Sequence, residues 1–113
     1  MNTNKMEEIY QKTADVLDSM IPVSWRAIHL YAEVSKEARK VFFYFYPMNS
    51  DLPVYNLDIV DEYRVKDQEY EALEDELYDL CSALWEEFDH QNQEQWSNLT
   101  LHLDHSGKFT IDL

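Results

Sequence analysis

The sequence predicts an α+β fold: a five-stranded antiparallel sheet with two amphipathic helices packed on one face, in the order α-β-β-β-α-β-β. Three observations carry the prediction. Two stretches repeat apolar residues at steps of three and four, the spacing of a helix with one buried stripe. Five shorter stretches alternate, or run apolar and aromatic, as strands do. One glycine and three prolines in 113 residues leave little room for irregular chain. Short connections in turn favour antiparallel neighbours. A chain of this length is expected to form one domain over residues 1–113 and to remove roughly two-thirds of its unfolded surface from water.

The first helix is read over residues 4–20, where Met6, Ile9, Tyr10, Thr13, Val16, Leu17 and Met20 share a side. Asn4 followed by Glu7 has the form of a capping box. Pro22 ends the helix, because the residue before a proline is driven out of helical geometry. Alternation then sets in. Ile28, Leu30, Ala32 and Val34 face one way; Trp25, His29, Tyr31 and Glu33 face the other. Residues 35–40, with Lys36, Arg39 and Lys40, are read as a hairpin connection. The run Val-Phe-Phe-Tyr-Phe-Tyr at 41–46 is β-prone on both faces and uncharged, as a central strand would be, and Pro47 closes it. A third strand is read over 54–59, with Tyr55, Leu57 and Ile59 aligned.

The second helix spans residues 67–89, with Asp67 as its N-cap. Its stripe is Tyr70, Leu73, Leu77, Leu80, Cys81, Leu84 and Phe88. The last strands are read over 96–104 and 108–113. Leu99, Leu101 and Leu103 point inward on the first, and Phe109, Ile111 and Leu113 on the second. Ser106-Gly107 makes the turn between them. With both helices on one face, the other face would show Trp25, His29, Tyr31, Phe42, Tyr44, Tyr46 and His102. Such an aromatic surface is expected to bind a partner or a second copy, or to lie under residues outside this chain.

The formal net charge is −14, and residues 67–89 hold ten acidic side chains and no basic one. Asp67, Glu71, Glu74, Asp75, Asp79, Glu86 and Asp89 gather opposite the apolar stripe. Such a face can serve solubility alone, or it can meet a basic partner. Tyr78 and Trp85 project beside it. They are either interface anchors of the aromatic kind that dominates hot spots or boundary residues tucked under a neighbouring loop. Nucleic acid and anionic membrane are disfavoured as direct partners, because both are polyanions. Residues 1–20 have no apolar core of the kind that marks a secretory signal. No apolar run approaches the ~20 residues that span a bilayer. The lone Cys81 sits on a core stripe and has no internal partner. A reducing, cytoplasmic setting is therefore expected.

No catalytic pattern emerges. A single glycine makes a phosphate-cradling loop implausible. Cys81 lacks a base nearby in sequence. His29, His102 and Asp104 could share a strand face and suggest a small metal-binding domain, but their spacing matches no metal motif. The expectation is no catalytic residue, no metal and no cofactor.

Four stretches, in order and covering nearly the whole chain, carry a resemblance. They are Met-Ile-Pro-Val-Ser-Trp at 20–25 leading into Leu-Tyr-Ala-Glu-Val at 30–34; the aromatic run at 41–46; residues 73–88 around Glu-Leu-Tyr-Asp-Leu; and Trp-Ser-Asn-Leu-Thr-Leu-His-Leu-Asp at 96–104 followed by Gly-Lys-Phe at 107–109. Together they resemble the YezG-like immunity (antitoxin) proteins of bacteria, which include the EsaG type. Two departures stand out. Relatives often have glycines where residues 35–40 lie here, and usually continue beyond the strand that ends at Leu113. The resemblance implies an inhibitor that works by binding one cognate polymorphic toxin, often a nuclease, and needs no catalytic residues. It also gives the acidic face a target, since a nuclease needs a basic groove for phosphates. On this reading Glu71, Glu74, Asp75, Asp79 and Glu86 make the electrostatic contact, and Tyr78 and Trp85 anchor it. A general acidic adaptor or chaperone-like module is the alternative binding role.

Overall fold

A computed structural model describes residues 3–113, with side chains from residue 5 onward. The elements are α1 (Thr3–Met20), β1 (Trp25–Val34), β2 (Arg39–Pro47), β3 (Val54–Tyr55), a 3-10 turn (Asn56–Asp58), α2 (Ile59–Tyr63), α3 (Asp67–His90), β4 (Asn98–Asp104) and β5 (Phe109–Asp112). The five strands form one antiparallel sheet in the order β3-β2-β1-β4-β5. The hairpins β1-β2 and β4-β5 thus flank the centre, and β1 pairs β4 across the whole intervening chain. Helices α1 and α3 pack on each other over one sheet face. Among the described residues no helix is long and apolar enough to cross a membrane.

The predicted alternation places the core. Ile28, Leu30, Ala32 and Val34 of β1, Val41, Phe43 and Phe45 of β2, and Leu99, Leu101 and Leu103 of β4 are all buried. They meet Ile9, Val16, Leu17 and Met20 from α1 and Tyr70, Leu77, Cys81, Leu84 and Phe88 from α3. Met6, Tyr10, Leu73 and Leu80, also on the predicted stripes, line its margin. Thr13, polar but on the α1 stripe, satisfies its hydroxyl by donating to the Ile9 carbonyl at 2.8 Å.

Several expectations are corrected. The third strand stops after two residues, and the chain turns into the 3-10 turn and α2. The cause is Asn56, buried at 4% exposure. Its Oδ1 accepts the Phe43 N–H at 3.1 Å, where a strand would have offered a carbonyl. Leu57, aligned with Tyr55 and Ile59 by the alternation, is 79% exposed, whereas Ile59 is buried. Asn4 lies within α1 and so is not its cap. Lys66 is the N-cap of α3, without a side-chain bond. Asp67 is therefore the first helical residue, where it still faces the positive end of the helix dipole. At the other end Asn92 adopts φ 59°, and the Gln93 N–H returns to the Phe88 carbonyl at 2.8 Å, closing the helix.

Trp25 is not on the outer sheet face. A register shift between Trp25 and Ala27 turns it towards the core, and its Nε1 donates to Asp18 of α1 at 2.9 Å. Trp96 precedes β4 rather than starting it, and is buried. On β5 the inward side is as expected, with the Phe109 ring 5.1 Å from that of Tyr10 of α1. Burial there is poor, however: Phe109 is 38% exposed because β5 is a sheet edge, and Leu113, expected inward, lies past the end of β5 and is 66% exposed. Gly107, at φ 89°, takes the left-handed position of the β4-β5 turn that a side chain would strain.

Candidate partner-binding surfaces

The helix layer and the open side of the sheet present two different chemistries. On α3 the carboxylates of Glu71, Asp75, Asp79 and Glu86 are exposed, and Glu74 is half-buried between them and the core margin. Burial, then Asp75, then Glu71 push the Glu74 carboxyl above its usual range. Glu71 stands three and four positions before Glu74 and Asp75, so the three crowd one turn of helix. A cationic group arriving here would relieve that repulsion.

Asp79 differs from the rest because it already has a cation. Arg39 of β2 donates to its Oδ1 at 3.0 Å and to Ser82 Oγ at 3.1 Å, and lies 5.4 Å from the Tyr78 ring centre. Both charges of the pair are exposed, so it contributes roughly 0.2–1 kcal/mol. No sequence signal links positions 39 and 79. Tyr78 and Trp85 are half-buried, and their polar ends serve the fold. The Tyr78 hydroxyl donates to the Val41 carbonyl at 3.1 Å, and Trp85 Nε1 to the Trp96 carbonyl at 3.0 Å. Trp85 and Glu86 still border an open cleft of about 460 Å³, whose other wall is the β1-β2 hairpin with Lys36 and Arg39. Glu87, beside Glu86, is buried and accepts from Gln91 Nε2 at 2.9 Å.

The open sheet face is built by the strand register. His29 stacks on Tyr44 at 5.0 Å and meets Tyr46 edge-on at 6.1 Å; Tyr31 lies 5.1 Å from Phe42, and Tyr44 lies 5.7 Å from Tyr55. Across the β1-β4 pairing His29 faces His102, and their Nδ1 atoms share a hydrogen bond. His102 Nε2 is 3.3 Å from Asp112 Oδ2 on β5. Asp104 does not join the two histidines. Its Oδ1 accepts from the Ser106 and Lys108 backbone N–H groups at 2.9 and 3.2 Å and from the Ser106 hydroxyl at 2.5 Å. Those bonds hold its carboxyl below the usual range. Among the described residues no three His, Cys, Asp or Glu side chains converge to hold a metal. The remaining candidate nucleophile is closed off, since burial pushes the Cys81 thiol up to about 12.

Burial, and then His102, hold the His29 imidazole below its ordinary value. The folded protein therefore binds that proton less readily than the unfolded chain. Stability from this group is complete above the unfolded value of about 6.5 and declines as pH falls below it. Melting temperature should drop between pH 6.5 and 5 in the wild type, and drop less in His29→Gln. Parallel curves for the two proteins would remove His29 as the source.

The small α+β scaffold thus presents an acidic helical ridge on one side and an aromatic sheet face on the other, and known sequences give it a family. The chain is similar to bacterial immunity proteins. It is 38% identical over 112 residues to immunity protein YezG of Bacillus spizizenii, spanning 99% of this chain and 70% of that one. It is 36% identical over 107 residues to immunity protein YezG of Bacillus subtilis, spanning 95% and 71%. It is 29% identical over 107 residues to the type VII secretion system protein EsaG of Staphylococcus aureus, spanning 95% and 66%. The family model described as immunity protein YezG-like matches residues 6–113, and the chain belongs to that family.

Proposed function

We propose that this immunity protein binds and neutralises a cognate toxin in the cytoplasm, through the outer face of α3, and that the toxin is a nuclease. The observation that carries the reading is the crowding of Glu71, Glu74 and Asp75 on one turn of a helix that holds no lysine or arginine. An enzyme that cleaves a polyanion needs a cationic groove, and a fixed acidic ridge complements such a groove and steers association. Glu86 and Trp85 extend the ridge to the cleft beside the hairpin, where a partner side chain has room. Asp79 takes part by exchanging Arg39 for a partner cation.

Capture of candidate toxin domains, those encoded in neighbouring genes first, measured at low and high salt, tests the proposal. Tight capture that weakens with salt supports it, whereas salt-insensitive capture counts against it. Equal capture of unrelated basic proteins would favour a general acidic adaptor instead.

Glu74 gives a sharper test. Because its folded value is raised, its ionised form sits less favourably in the folded protein than in the unfolded chain. Its charge subtracts from stability at neutral pH, and the loss is relieved as pH falls through the raised value. Glu74→Gln is therefore expected to raise stability by a few tenths of a kcal/mol, the scale of like-charge helical neighbours, while weakening toxin binding. A fall in both quantities would make Glu74 a structural residue.

A further inference from the structure

We propose that the aromatic face of the sheet is a self-association surface, on which two copies of this chain pair sheet to sheet. The proposal goes beyond toxin binding and does not depend on it.

The charge layout selects the occupant. A basic partner is drawn to α3, where ten carboxylates stand without a lysine or arginine. The centre of the open sheet face offers such a partner nothing. It consists of His29, Tyr31, Phe42, Tyr44, Tyr46 and His102, with Tyr55 half exposed at its margin. Formal charges stand around it, and they are of both signs, with Asp112 of β5 3.3 Å from His102 Nε2. Glu33 and Lys40 are cross-strand partners at one end. Arg26 lies 4.5 Å over the Tyr46 ring at the other, with Asp104 nearby on β4. A margin carrying both signs can complement itself across a two-fold axis, as an isologous interface requires.

Two copies with net charge −14 repel each other in most orientations. Meeting through α3 would set one row of exposed carboxylates against another. Meeting sheet to sheet puts each α3 behind its own sheet. Stacked sheets lie about 10 Å apart, and two further sheet-to-helix spacings separate the acidic layers. Charge screening decays over about 8 Å at physiological ionic strength, so the layers stand several screening lengths apart. Repulsion thus steers copies to this broad face, which combines uncharged aromatic rings with low charge. Tyrosine suits that role, being a large, stiff contact group with a polar tip.

The test is the mass of the full chain in solution at near-physiological salt, measured over about 5 to 300 µM, together with the concentration dependence of its melting temperature. The wild type is expected to become dimeric across this range. Tyr44→Glu, at the centre of the face, and Phe42→Lys, towards its margin, should be monomeric. Glu71→Lys with Asp75→Lys, on the far side of the molecule, should remain dimeric. Hydroxyl-radical footprinting of the wild type keeps the proposal testable if the sheet variants fail to fold: Phe42, Tyr44 and Tyr55 should become protected as concentration rises. A wild type that stays monomeric at about 300 µM overturns the proposal, and so does a dimer in which those rings stay reactive. A monomeric wild type whose toxin capture is abolished by Tyr44→Glu would assign the face to the toxin, and equally overturns it.

Discussion

Replacing Asn56 by leucine is expected to lower the unfolding free energy by roughly 2–4 kcal/mol, the upper range for a single substitution. The side chain is buried, and three hydrogen bonds converge on the residue. Its Oδ1 accepts from the Phe43 N–H at 3.1 Å, its Nδ2 donates to the Tyr70 hydroxyl at 3.1 Å, and that hydroxyl donates to the Asn56 carbonyl at 2.9 Å. Leucine has the same branched shape and the same number of side-chain heavy atoms as asparagine but is bulkier, so no cavity forms. The main cost is an orphaned N–H on Phe43, a fully buried residue of β2. A buried unsatisfied donor costs about 1–3 kcal/mol. The Tyr70 hydroxyl loses one of its two partners as well. Tyr70→Phe removes the other side of the same cluster and should cost about half as much. The double variant should lose less than the sum, because the two residues share bonds. Urea unfolding of the four proteins gives the cycle. A loss under about 1 kcal/mol for Asn56→Leu, or strict additivity, would show that the cluster is not what fixes the end of β3.

That cluster also marks where local pattern ceases to determine the fold. Strong local periodicity was legible: both long helices, the β1, β2 and β4 strands, and the inward set on each agree with the structure. The residues 54–59 alternate as well as β4 does, yet the ladder ends at Tyr55. A side-chain oxygen has taken over the next backbone bond, and nothing local in the sequence announces that substitution. Trp25 follows the alternation by number but leaves the sheet face because one register shift intervenes. The candidate surfaces divide in the same way. The acidic ridge was visible because helical spacing alone assembles it. The link from Arg39 to Asp79 crosses 40 positions, and the His29–His102 pair depends on a register 73 residues apart. Asp104 was a reasonable third member of that pair by face. The β4-β5 turn claimed its oxygen, and Asp112 on the next strand took the place beside His102.

Reversing three charges on the ridge, with Glu71→Lys, Glu74→Lys and Asp75→Lys together, is expected to weaken toxin capture by about 100-fold or more. Exposed pairs are each worth about 0.2–1 kcal/mol, and reversal replaces each attraction by a repulsion. Three such changes come to roughly 3 kcal/mol, which is two orders of magnitude in the dissociation constant. Most of the change should fall on the association rate, and the salt dependence of binding should flatten or invert. The fold is expected to tolerate the variant, since Glu71 and Asp75 are exposed and the wild-type turn already carries mutual repulsion. Asp79 is left out because a lysine there would face Arg39. Trp85 and Tyr78 are left out because their bonds to the Trp96 and Val41 carbonyls would confound a loss of binding with a loss of structure. Those two residues need a gentler probe. Tyr78→Phe deletes one hydroxyl and keeps the ring, so capture that survives it shows only that the hydroxyl is spent within the fold. The triple variant decides the larger question. Capture at wild-type strength by a folded triple variant would remove α3 as the toxin's contact.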